Sequence, residues 1–528
     1  MIQTMLENGA DVHCRKDCDL NVTGCNLWRS PLHAGVARGH GSVVEILLSF
    51  GAGIHTEDEF GRTPLQVACE HGRREVVDLL LREGADVNHP VNNSSQHAAP
   101  PLQAAASHDD ERLIMRLLER GPDINAQSGY YGSALQQACR QGHDTIVELL
   151  IAKGACVNAR GGFYDSAIQA AATFGHETVC KTLLRHGADV NATGGFYGTA
   201  LQAACHGDEN IARLLIDNLA DVNAQGGLYG TALKAACAYN SDSIIKLLLD
   251  NGADINLDGA GKGTPLQAAA AKGNEELFIQ FLEMGANIDA STGNYGTSLQ
   301  ISARCEHESM VGLILSRGAT VNTAASGELG FPLQAAAFAG NVTIARRLLD
   351  VGSEVNATGG KYGTALIAAA FCGHQDMIHL LFDSGADINI TGGKYGTALI
   401  AAAFCGHQDM IHLLLDSGTD INATGGKYGT ALFAAAFTGR HLAARLLLDN
   451  GADATMSTYA GNPMGAAFRG WKAPHEDVIE LLEKHGATDA LMPADVTGDE
   501  ELDSDVEVSE FGEGDYLDAE SVALSGEL

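Results

Sequence analysis

Residues 358–390 read TGGKYGTALIAAAFCGHQDMIHLLFDSGADINI, and residues 391–423 repeat them with three changes, Phe382/Leu415, Ala386/Thr419 and Ile390/Ala423. This near-identity at a 33-residue period constrains folding more than any other feature of the chain. A fixed period of this size marks stacked supersecondary units, each burying its apolar face against its neighbours. A chain of 528 residues would otherwise divide into several domains, and an array has no such need.

Aligned on the Leu of a Thr-Pro/Ala-Leu motif, units fall at Leu32, Leu65, Leu102, Leu135, Ile168, Leu201, Leu233, Leu266, Leu299, Leu333, Leu366, Leu399, Leu432 and Met464. Nine of the thirteen intervals are 33 residues, so fourteen units carry the chain to about Asp489. Within residues 191–223, Thr199 is placed to cap a short small-sided helix through Cys205. Gly142, Gly175 and Gly373 stand where a first helix needs a left-handed stop. Ile211-Ala-Arg-Leu-Leu-Ile216 supplies a larger apolar face at helical spacing. Neither helix is long enough to stand alone, so stability must come from stacking.

A turn and two helices, entered through a Thr-Pro-Leu-His-like motif at this period, resemble the ankyrin repeat. The resemblance implies an all-α fold, an ankyrin-repeat α-solenoid of about fourteen helix-turn-helix units with projecting turns. Residues 1–13 read as a partial repeat (second helix only), 14–29 as an irregular Cys-containing insertion, 30–489 as the array, and 490–528 as a disordered acidic C-terminal tail. The tail holds thirteen acidic residues and no Lys, Arg or His, too little apolar surface to fold.

Net charge is −33 with a pI near 4.8, which argues against nucleic acid, whose phosphates require a basic footprint. No apolar run approaches the length of a membrane span, and MIQTMLENGADVH lacks a signal peptide's basic and apolar regions. The expected setting is cytoplasmic, with the nucleus possible. Cys69, Cys139, Cys205 and Cys237 share one repeat position and Cys305, Cys372 and Cys405 another, as expected of small buried side chains rather than disulfides. The sequons at Asn191 and Asn422 follow from the repeat wording.

Three constellations invite a chemical reading and do not sustain it. His13, Cys14, Cys18, Cys25 and His33 are zinc-type ligands, but their spacing matches no standard finger. Gly259-Ala-Gly-Lys262-Gly-Thr264 lacks the Ser/Thr and upstream Gly of a phosphate loop. The Gly-His pairs at His40, His143, His176, His374 and His407, with His307 after a replaced Gly, recur at one position and read as structural. No catalytic set, cofactor site or metal site stands out, so no enzyme activity is expected.

The informative residues lie in the turn. Eight units read Gly-x-Tyr-Gly or a near variant, with Tyr131, Tyr164, Tyr197, Tyr229, Tyr295, Tyr362, Tyr395 and Tyr428. These rings are expected to form an architectural ladder, roughly 10 Å apart by analogy with helix packing. The preceding residue varies: Tyr130, Phe163, Phe196 and Leu228, then Asn294, then Lys361, Lys394 and Lys427. Since ankyrin turns and first helices usually form the concave partner-binding face, these eight residues are the candidate partner contacts, an apolar strip followed by a basic one. The family implies a non-catalytic scaffold, adaptor or sensor for a protein partner, expected to be monomeric. The wording also resembles long fungal arrays, some fused to nucleotide-binding signalling domains. The alternative is therefore a C-terminal recognition region of a larger signalling NTPase or enzyme, a reading favoured by the partial first repeat.

Overall fold

The computed structural model of the chain describes Glu7 and residues 30–89, 99–127, 130, 132–293, 296–323, 330–470 and 474–487. The expected partial repeat (apart from Glu7), the Cys-containing insertion and the acidic tail lie outside these residues. Among the described residues there are 28 helices in fourteen pairs, and the only β pairing is isolated bridges across turns. They fall into two compact units divided between Lys262 and Gly263, with seven pairs in each. The repeat count and the all-α ankyrin solenoid class both hold.

Most first helices are fixed by a side-chain cap, and in several a glutamine of that cap also reaches the next repeat. In Ala200–Ala204 the Thr199 hydroxyl accepts the Gln202 amide at 3.1 Å, and Gln202 Oε1 accepts the Thr199 amide at 2.8 Å. This is a capping box, two orphan donors satisfied reciprocally. The same Gln202 turns its Nε2 toward the following turn, 3.0 Å from Gly230 O, 3.2 Å from Gly226 O and 3.3 Å from Ala224 O. Gln136 and Gln169 repeat both roles. In Ile367, Ile400 and Phe433 the position is apolar and buried.

Lys234 is the exception. It takes the glutamine's place, 5% exposed, with its Nζ donating to Lys262 O. Burial, and then the charge of Lys262, lower its pKa from 10.5 to about 8.

Second helices such as Glu209–Asp217 bury Ile211, Ala212 and Leu215 completely. The junction histidines tie repeats together. His143, His176, His374 and His407 each donate Nε2–H to a carbonyl of the preceding repeat 36 residues earlier, at 2.9–3.1 Å. Asparagines act similarly beyond the second helix. Asn158 donates to Gly187 O at 2.9 Å and accepts the Asp189 amide at 2.8 Å. Asn191, the sequon residue, is committed in the same way to Leu219 O and the Asp221 amide.

Cys69, Cys139, Cys205 and Cys237 are fully buried as expected. Cys305, Cys372 and Cys405 are not: they are half-buried, because the position six after the repeat Leu lies at the end of the first helix, where the packing thins.

Candidate partner-binding face

In several repeats the turn ahead of the first helix is closed on itself, with Gly194 N–H donating to Gly198 O at 2.8 Å and Gly226 N–H to Gly230 O at 2.9 Å. It is also bonded to its neighbours. Phe163 N–H donates to Tyr130 O at 2.7 Å, Phe196 to Phe163 O at 3.0 Å, and Leu228 to Phe196 O at 2.9 Å. In the second unit Lys394 N–H donates to Lys361 O at 2.7 Å and Lys427 to Lys394 O at 2.6 Å. Glycine permits this approach. At Gly227, φ is 64° and a Cβ would overlap the Tyr197 backbone.

These bonds correct the expected 10 Å spacing. Tyr130 and Phe163 stack at 4.7 Å between ring centroids, and Phe163 and Phe196 at 4.8 Å. Tyr362 to Tyr395 is 5.9 Å and Tyr395 to Tyr428 is 5.8 Å. Helix packing governs the helices, but turns joined by backbone hydrogen bonds approach at strand spacing, about 4.8 Å.

The tyrosine ladder is present at Tyr362, Tyr395 and Tyr428 and is buried there, with Tyr395 only 1% exposed, whereas Tyr197 is half-buried. It carries a second column absent from the sequence reading. Phe371 lies 5.1 Å from Tyr362 and 4.7 Å from Tyr395, and Phe404 lies 5.3 Å from Tyr395 and 4.7 Å from Tyr428. Offset and edge-on aromatic contacts of this kind add to area burial. Tyr131 and Tyr295 lie outside the described residues.

The residue before each tyrosine is held in a column by the backbone bonds. Tyr130, Phe163, Phe196 and Leu228 are brought together in the first unit, all half-buried. Lys361, Lys394 and Lys427 form a second column, also half-buried. Asn294 lies outside the described residues. Two residues at the same repeat position escaped the sequence reading because their turns lack the Gly-x-Tyr-Gly wording. Phe60 carries the Arg62 guanidinium 4.8 Å from its ring centroid, and Tyr459 of the last repeat is 73% exposed. Counting five residues back from the repeat Leu finds both.

Elsewhere the side chains are committed to architecture. His33 is buried, its Nδ1 2.8 Å from Ser30 Oγ and its Nε2 3.0 Å from Arg62 O, and burial lowers its pKa. Both nitrogens are therefore occupied, and it is the His of Ser30-Pro-Leu-His33 rather than a metal ligand. His13, Cys14, Cys18 and Cys25 lie outside the described residues. A groove of about 680 Å³ opens in the second unit at the other end of the first helices. It is lined by His374, Asp376, His407 and Asp409, and its histidines already donate to Phe338 O and Phe371 O.

Stacked helix pairs joined by glutamine, histidine and asparagine, with turns projecting ahead of the first helices, define a helical repeat protein. A family model described as ankyrin repeats (3 copies) matches residues 1–91, 102–194, 168–259, 233–325, 327–392 and 390–458. The chain belongs to the ankyrin repeat family, a family of protein–protein interaction modules. A search of curated proteins found no match. Among the described residues no helix is long and apolar enough to cross a membrane.

Proposed function

We propose that the chain is a non-catalytic scaffold, adaptor or sensor that grips a protein partner on the face made by its projecting turns and first helices. The observation that supports this is the pair of turn columns. The first is aromatic and aliphatic (Tyr130, Phe163, Phe196, Leu228) and the second cationic (Lys361, Lys394, Lys427). The backbone beneath them is uniform, so the side chains at this one position differ where the scaffold does not. Partially exposed aromatic groups are the usual anchors of protein interfaces, and aligned cations steer acidic partners. Asn294, Phe60 and Tyr459 join the same position. The setting that suits free thiols is the cytosol or nucleus.

The test is affinity capture with the full chain, comparing Phe163→Ser/Phe196→Ser with Lys153→Glu/Lys246→Glu on exposed second-helix surfaces. Partners should be lost with the first pair and kept with the second. Partners lost only with the second pair would place binding on the helical back instead.

A further inference from the structure

The second column has a property that the first lacks. The stretches 358–372, 391–405 and 424–438 each comprise a turn and most or all of a first helix. Each contains one charged side chain, Lys361, Lys394 or Lys427, and no acid. This is unusual in a chain of net charge −33. The acids of these repeats sit elsewhere. Asp376 and Asp409 open the second helices, and Asp387 and Asp420 bind the amides of Asn389 and Asn422. The backbone bonds from Lys394 to Lys361 and from Lys427 to Lys394 hold the three lysines at strand spacing, about 4.8 Å between neighbouring backbones. Three cations set in one column focus a positive potential along it. An extended anionic chain laid along the column matches that row of charge.

The chain carries such a segment. Residues 499–510, DEELDSDVEVSE, hold seven acids in twelve positions and no base. In extended form Asp503, Asp505 and Glu507 fall on one face and Leu502, Val506 and Val508 on the other. From Ala487, the last described residue, twelve residues lead to Asp499. They reach about 40 Å when extended, roughly twice the width of two packed helices.

We infer that residues 499–510 dock on the Lys361–Lys394–Lys427 column of the same chain and cover that part of the face until an acidic partner displaces them. The inference rests on the turn face being the recognition face. Lys484 is the natural control: it is exposed, much nearer in sequence, and paired with Glu480 at 2.6 Å.

The experiment is zero-length carboxylate–amine cross-linking of the full chain, mixed with an equal amount of isotope-labelled full chain and mapped by mass spectrometry. Within single chains, residues 499–510 should link to Lys361, Lys394 and Lys427 about fivefold more than to Lys484, and raising salt from about 0.05 M to about 0.5 M should abolish the preference. Links that favour Lys484, or that join only labelled to unlabelled chains, overturn the inference. A second measurement avoids dependence on cross-link yield. Backbone NMR resonances of residues 499–510 in the full chain should be broadened in the wild type and sharp in Lys361→Gln/Lys394→Gln/Lys427→Gln, at unchanged melting temperature. Sharp resonances in both proteins also overturn it. Failure here, with capture still sensitive to Phe163 and Phe196, leaves the recognition face standing. Docking seen here, with capture insensitive to those residues, removes the face and keeps the docking.

Discussion

The imidazole of His176 lies over Gly142 of the preceding repeat and donates its Nε2–H to Arg140 O at 2.9 Å. Gly142 has φ 74°, and a Cβ there would stand 2.5 Å from His176 Nδ1. The Gly that ends one first helix thus makes room for the His that opens the second helix of the next repeat. Gly142→Ala is expected to cost about 2–4 kcal/mol, the left-handed backbone penalty plus overpacking. Gly154→Ala, at φ 99° with nothing within 4 Å, should cost about 1–2 kcal/mol, the backbone penalty alone. Urea denaturation of both variants checks the difference, and equal losses would show that the ring contact contributes nothing.

Lys234→Gln should stabilise the chain, because glutamine restores the capping box and the amide contacts to the next turn while removing a buried ammonium. The sign follows from the lowered pKa. Between about pH 8, the folded value, and about pH 10.5, the ordinary value, the unfolded state binds the extra proton, so wild-type stability rises with pH. Below about pH 8 the penalty is fully present. The variant's advantage is expected to be about 1–3 kcal/mol at pH 7 and to shrink toward pH 10.5. Denaturation midpoints at both ends of that window decide it.

Leu219 occupies the position held by Gly187 and Gly252 in neighbouring repeats, with φ 69° and 82% of its surface exposed. Leu219→Gly should raise stability by about 1 kcal/mol by removing the left-handed strain, since the Asn191 bond to its carbonyl needs no side chain. A lowered thermal midpoint would mean that the exposed isobutyl group makes contacts that offset the strain.

The thiols should separate by reactivity. Cys156 is exposed. Burial pushes Cys180, Cys372 and Cys405 up to about 12 and Cys69, Cys139, Cys205 and Cys237 higher. At pH 8 iodoacetamide is expected to label Cys156 about 100-fold faster than Cys205, following thiolate fraction and access. Peptide mass spectrometry over time reads the ratio, and comparable rates would show that the first helices open readily.

What sequence could reveal here depended on distance along the chain. The Thr199 cap, the Gly142 stop and the apolar face of 211–216 are local, and periodicity made them legible. The second role of Gln202, the insertion of Phe371 between Tyr362 and Tyr395, and the strand spacing of the turns join residues of different repeats. Their partners are not fixed by composition, because the backbone has first to be placed. The strip position was found where Tyr followed it and lost at Phe60 and Tyr459, where the wording changed but the register did not. The half-buried state of Cys372 and Cys405 was hidden for a related reason: the helix end exposes a position that periodicity groups with the core.

The joints between repeats end largely on main-chain carbonyls, as in Gln202 to Gly230 O, His176 to Arg140 O and Asn158 to Gly187 O. A carbonyl oxygen is the same whatever side chain its residue bears. Neighbours linked this way are interchangeable parts, so a copied module meets a ready partner on either side without a matching substitution. That tolerance accounts for how residues 358–390 and 391–423 can lie next to each other almost unchanged. It also leaves the turn tips free to diverge at no expense to the joints below them.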